Sequence, residues 1–293
     1  MSKKIITFLI VFSYCFSCLA QTDSSKNTIK NLNIKEEFSK PKKFGFITNV
    51  PSDLWGIAKS PFQKENLVGL STVIGSTALL LWQDQHIVNK AQQFGRYINL
   101  DPSTVYSVPV KFGSNRIIKV PSNLNTAFYE LGEGGTTMYI AAGLFVFGKI
   151  NHDNHSLQAA SDLTETFITM GLASQVFKRI AGRQTPSSAT YRGGRWSPFP
   201  SFSNFQNNIA SYDSFPSGHL STMMATVTVL AKDFPEKKWI KPVGYSLMAC
   251  TGYAMLNNGV HWAGDYPLAI ALGYLSGELT VNRHQKHKNH PIN

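Results

Sequence analysis

Cysteine is scarce in this 293-residue chain, with three in all: Cys15, Cys18 and Cys250. The first two fall in an N-terminal stretch that reads as a removable leader, so one thiol remains. A lone cysteine makes no internal disulfide, which excludes a small disulfide-stapled scaffold and leaves a packed core to hold the fold together. Acidic residues are also few, 17 against 28 Lys and Arg, for a formal net charge of +11. That sign suits phosphates, anionic lipid surfaces or nucleic acid. Nucleic acid is set aside as a partner, because there is no zinc-finger spacing and no aromatic RNA-binding motif. The tail from His284 to Asn293 holds three histidines without fixed spacing or a carboxylate partner, so no metal is expected there. No stretch shows convincing strand alternation.

What is present begins with the leader. Lys3 and Lys4 precede an apolar core, Ile5 to Phe12, and Ser17-Cys18-Leu19-Ala20 ends in small residues. Residues 1–20 read as a signal peptide, which places the protein in the cell envelope, in the periplasm or at a membrane. A lipoprotein acylated at Cys18 is the weaker alternative, since Cys15 and Phe16 fit poorly before it. Residues 21–61 read as a polar linker with the run Lys40-Pro41-Lys42-Lys43, residues 62–283 as the folded domain, and 284–293 as a basic tail.

Six segments of the domain carry apolar residues at three- and four-residue steps or are apolar throughout: 66–82, 136–149, 159–180, 219–231, 243–256 and 265–281. The expected fold is all-α, a bundle of about six core helices. A membrane span needs about 20 consecutive apolar residues, and only 66–82 comes near. Lys232-Asp233 ends the fourth segment early, and Asp162 and Glu165 interrupt the third. These lengths favour a soluble or surface-bound bundle, although the Gly, Ser, Thr and Ala content also suits packing in lipid.

Three stretches carry chemistry. Lys178 to Pro186 closes the third segment. Phe215-Pro216-Ser217-Gly218-His219 opens the fourth. Asn258 to Pro267 joins the fifth and sixth. Ser217 suits a helix N-cap, and Gly218 allows close approach of a ligand to the backbone. From Lys178 to Tyr212 there are five basic residues and no acidic one, a local positive field for an anion. The long connector from Tyr191 to Tyr212, with Trp196, Phe199, Phe202 and Phe205, reads as a lid or lip. His261 and Asp265 are four apart and can meet on a turn. A carboxylate on one ring nitrogen makes the other a better nucleophile, and His219 can then protonate a leaving oxygen. Lys178, the Ser217 hydroxyl and the Gly218 amide complete a set suited to phosphoryl transfer through a phosphohistidine.

With these residues the chain resembles the type-2 phosphatidic acid phosphatase superfamily, whose fold is shared with vanadium haloperoxidases. The resemblance spans roughly residues 66–281. It implies that His261 is the nucleophile oriented by Asp265, His219 the general acid, and Lys178, Ser217 and Gly218 the phosphate ligands, with no metal or other cofactor. Two arginines of the family pattern are absent. Thr185 stands before Pro186 where the first motif has arginine, and Ala254-Met255 stands where the third has Ser-Arg. Methionine does not replace a guanidinium fork. Arg183 is the first candidate substitute, with Arg179, Arg192 and Arg195 behind it. The expected function is an exported hydrolase of phosphomonoesters or lipid phosphates. The alternative is an envelope protein of this fold that binds phosphate-containing ligands with weakened chemistry. Vanadate-dependent halide oxidation ranks third, because it also leans on the missing arginines.

Overall fold

The computed structural model describes residues 40–112 and 115–289; the expected leader and residues 21–39 of the expected linker lie outside this range. Ten α-helices and one hairpin form among the described residues: α1 (Gly45–Thr48), α2 (Val50–Lys59), α3 (Leu67–Tyr97), β1 (Tyr106–Phe112), β2 (Asn115–Pro121), α4 (Leu124–Leu131), α5 (Gly134–Ile150), α6 (Asn154–Ala181), α7 (Phe202–Asn207), α8 (Gly218–Asp233), α9 (Ile240–Asn257) and α10 (Tyr266–Asn289). The helical class is as expected, and α3, α5, α6, α8, α9 and α10 cover the six anticipated segments, apart from the first residues of two of them, Asn66 and Asp265.

Three expectations change. The linker does not run to residue 61: α2 starts with Pro51 in its first turn and buries Val50, Asp53 and Ile57, one face of a helix. A strand pair does exist, antiparallel from Tyr106↔Pro121 to Phe112↔Asn115, with irregular register around Val110. Pro109 within β1 and the irregular register obscure its alternation in sequence. Third, α3 does not stop at Trp82. The helical stretch Lys64–Tyr97 is 34 residues long, its most apolar 18 residues have mean hydropathy 1.2, and none of these is buried. By length and composition it is long and apolar enough to cross a membrane, further than the 66–82 segment reached by itself.

The bundle centres on α6, α8 and α10. α6 starts at Asp153, whose carboxylate accepts the His155 and Ser156 amides, and ends at Gly182 with φ +56 and its N–H on the Lys178 carbonyl. α8 starts at Ser217, whose hydroxyl accepts the Leu220 amide. The C-terminal end of α6 and the N-terminal ends of α8 and α10 meet at one end of the bundle, where the Ser217 amide donates to the Asp265 carbonyl at 3.1 Å and Lys178 reaches Asp213 at 2.7 Å. Toward the other end, Arg283 of α10 pairs with Asp53 and, at 2.7 Å, with Glu165, while His284 Nδ1 lies 2.6 Å from Asp162. His284 is thus part of α10 and lies against the buried Asp162 rather than in a free tail.

Gly273 and Gly277 bring α8 and α10 into backbone contact. A Cβ at Gly273 would collide with the Ser221 carbonyl oxygen, and one at Gly277 would sit 2.9 Å from Thr228 Cβ. Gly143, by contrast, faces open space. Gly273→Ala is expected to destabilise the fold by about 1–3 kcal/mol through overpacking, whereas Gly143→Ala is expected to be neutral or stabilising. Thermal unfolding followed by helical circular dichroism checks both, and equal midpoints for the two variants would contradict the close packing.

Candidate active site

Where the three helix ends meet there is a cavity of about 560 Å³. Lys178, Gly218, His219 and His261 line it, together with Tyr129, Glu133, Thr185, Ser187 and Asp213. His219 and His261 face one another with ring centroids 5.9 Å apart and planes at 69°. His219 is the first side chain of α8 after Gly218. Its Nε2 has no hydrogen-bond partner and lies 3.9 Å from a Glu133 carboxylate oxygen. The Tyr129 ring packs on it at 4.5 Å. Burial, with the nearby His261 and Lys178, pushes the His219 imidazole down to about 3, so it is neutral. Burial, with Glu133 and Glu130 adding to it, raises the Tyr129 phenol to about 12 and keeps its proton on.

His261 is held from behind. Its Nδ1 donates to the Ser214 carbonyl at 2.8 Å and lies 3.5 Å from Asp265 Oδ2. With a carbonyl at Nδ1 the proton sits there, which leaves Nε2 with its lone pair. Ser214 is therefore the nearer orienting group, and Asp265 the second. Asp265 is fully buried. It accepts the Ser214 hydroxyl at 2.6 Å and the Trp262 amide at 2.8 Å on Oδ2, and Arg183 Nη1 at 2.7 Å on Oδ1. Burial pushes this carboxyl up, but Arg183, His261 and Ser214 together outweigh it and hold the group below the usual carboxylate range.

The expected phosphate ligands divide. Lys178 and Gly218 line the cavity. The Ser217 hydroxyl caps α8, and its residue is fully buried outside the cavity wall. Arg183 does not line it either: besides Asp265, its Nη2 donates to Asp84 at 2.6 Å and to the Gly193 carbonyl at 2.8 Å. Trp196 and Trp262 flank the guanidinium at 4.8 and 5.2 Å. Arg179 bonds Gln175 and covers Phe205, and Arg192 lines a separate notch with Leu81 and Trp82. None of the four substitute arginines is among the cavity residues. Thr185, in the place of the family arginine, does line the cavity, and Ser187 beside it.

The acid-free stretch ends at Asp213, and that residue changes the electrostatics. Lys178 Nζ donates to its carboxylate at 2.7 Å and to its carbonyl at 2.8 Å. The local field is therefore a paired charge, with Glu133 at the rim, rather than an open basic patch. Asp213, Asp84, Ser214 and Tyr129 are the site residues that sequence reasoning does not single out. Asp213 carries the one available signal, as the first acid after a long basic stretch.

Residues 159–289, which hold both imidazoles and the lysine of the cavity, match the sequence model of the PAP2 superfamily. Among characterised proteins, the chain is 32% identical over 80 residues to a lipid A 1-phosphatase of Porphyromonas gingivalis, a match over 27% of this chain. That match spans only 18% of the relative's length. No solved structure matches the chain.

Proposed function

We propose that the chain is a phosphatase that removes a phosphomonoester group from a membrane lipid in two steps, through a phosphorylated His261. The observation that carries this reading is the pair His261 and His219 on the wall of one cavity, with Lys178 and the Gly218 backbone beside them. In the first step His261 Nε2 attacks phosphorus, the ester P–O bond breaks, and the leaving oxygen takes a proton from His219. Because burial keeps His219 neutral, the negative charge of the substrate must first raise its affinity for that proton. In the second step His219 takes a proton from water, whose oxygen attacks phosphorus. The P–N bond breaks, inorganic phosphate leaves and His261 is restored. Tyr129, Thr185 and Ser187 supply hydroxyl donors where the arginine forks are lacking.

Three observations support a lipid substrate at a membrane. The helix α3 is long and apolar enough to span one. On α6, Gly171, Ser174, Gln175 and Lys178 line the cavity while Leu172, Val176 and Ile180 are exposed, so one apolar helix face lies beside the opening. The relative named above acts, by its name, on a lipid phosphate. With the leader read at residues 1–20, the proposed location is the cell envelope. The alternative, a phosphate-binding protein with weakened chemistry, is favoured by the Lys178–Asp213 pair and by a cavity wall without arginine.

A phosphate-release panel separates the two. Detergent-solubilised protein is expected to release phosphate from a lipid phosphate, lipid A included, faster than from a small aryl phosphate. Binding of tungstate with no release from any substrate would leave the binding protein as the surviving reading.

A further inference from the structure

We infer that Asp84 and Arg183 form a positioning pair for the reacting imidazole, a role that takes Arg183 away from the substrate and recruits a residue of α3 to the site. The inference rests on the phosphatase reading above, since it takes His261 as the reacting group.

The helix α3 buries only Asp84, Val88 and Gly95 along its 31 residues. A carboxylate turned inward from such a helix is costly unless it is paired and hydrogen-bonded. Asp84 is both: Oδ2 accepts Arg183 Nη2 at 2.6 Å, and Oδ1 accepts the Gly264 amide at 2.7 Å. Gly264 precedes Asp265, and a Cβ there would lie 2.8 Å from Asp84 Oδ2. Asp84 thus grips the turn that carries Asp265 at its backbone and, through Arg183, at its side chain. Arg183 also holds the other orienting group, because the Ser214 amide donates to the Arg183 carbonyl at 3.0 Å. Both partners of His261 Nδ1, the Ser214 carbonyl and the Asp265 carboxylate, are therefore fixed by Arg183, and Arg183 is fixed by Asp84.

Stability alone does not account for this pair. A buried ion pair is often no better for stability than apolar residues of the same volume. What it supplies is directionality: a planar fork between two carboxylates sets their relative orientation as a point charge or a methyl group does not. Neither Asp84 nor Arg183 is among the cavity residues, so neither is a catalytic residue. Their effect passes through the placement of His261, where a displacement of about 1 Å is enough for a loss on the order of 10²-fold.

The test is Asp84→Asn in the full-length protein in detergent, read in two ways against its thermal midpoint. The first reading is the division between kcat and KM for phosphate release. The second is the low-field proton resonance of His261 Nδ1–H, observed with ¹⁵N-labelled histidine and independent of turnover. Expected for a folded variant are a kcat lower by about 10-fold or more, as for other partners that orient a working imidazole, a KM within about twofold of wild type, and loss or broadening of the resonance. A folded variant with unchanged kcat per folded molecule and an unchanged resonance would overturn the inference, even with a lowered thermal midpoint. Should Asp84→Asn not fold, Arg183→Lys carries the same two readings, because lysine keeps the charge but not the fork. If wild type releases no phosphate from any substrate, the phosphatase reading falls, and the resonance alone then decides between positioning and none.

Discussion

The His261→Ala variant is expected to lose roughly 10⁴- to 10⁶-fold in phosphate release, the range seen when a residue that acts as part of a catalytic unit is removed. Nothing else on the cavity wall can take the place of its Nε2. His219 is neutral and so has a lone pair, but among the described residues its Nδ1 has no carbonyl or carboxylate behind it of the kind that Ser214 and Asp265 supply to His261. Removing the His261 ring also leaves the Ser214 carbonyl without a donor, at a cost of about 1–3 kcal/mol for an unsatisfied buried group, so folding must be checked beside activity. The discriminating measurement is the intermediate. Wild type quenched during turnover of ³²P-labelled substrate is expected to carry label that is stable in alkali and lost in acid, as a phosphoramidate is, and His261→Ala is expected to carry none. Retention of more than about a tenth of the release rate, or label in the variant, would move the nucleophile elsewhere.

The parts of this site that depend on short spacing can be read from the chain; the parts that depend on distant pairing cannot. Ser217 announces a helix start, His261 and Asp265 a shared turn, and the apolar steps of 159–180 a core helix, because each is a local rule of backbone geometry. α2 escapes notice although Val50, Asp53 and Ile57 mark one helix face, because Pro51 and the preceding lysine run read as linker. α3 is cut short at Trp82 because Asp84 reads as the polar end of an apolar run. Its reason for being there lies 99 residues away, at Arg183. Lys178 and Asp213 are 35 apart, and the absence of acids between them suggests a basic field until the fold places that one carboxylate on the one lysine of the cavity. The same blindness puts Arg183 on the substrate when reading by motif, whereas its partners are two carboxylates on the far side of His261.

That Lys178–Asp213 pair leads to the second large effect. Among the described residues Lys178 is the one lysine or arginine that lines the cavity, and loss of a single donor to a transferring oxyanion typically costs about 10²–10³-fold. Lys178→Ala is expected to exceed that range, to about 10³-fold or more in kcat/KM. It does more than remove a donor: it also leaves Asp213, whose side chain is 28% exposed, as an unpaired carboxylate facing the incoming phosphate. Asp213→Asn has the opposite sign. It frees Lys178 for the substrate, and inhibition by inorganic phosphate is expected to tighten by about fivefold, the effect of roughly 1 kcal/mol of relieved competition. In Lys178→Ala/Asp213→Asn the repulsion is gone while the donor is still missing, so about tenfold of the Lys178→Ala loss is expected to return. Measured as kcat/KM across the four proteins, the two substitutions must therefore couple. Strict additivity would mean that the lysine reaches the phosphate without leaving Asp213, and a fall in phosphate affinity for Asp213→Asn would mean that the carboxylate aims the lysine rather than competing for it.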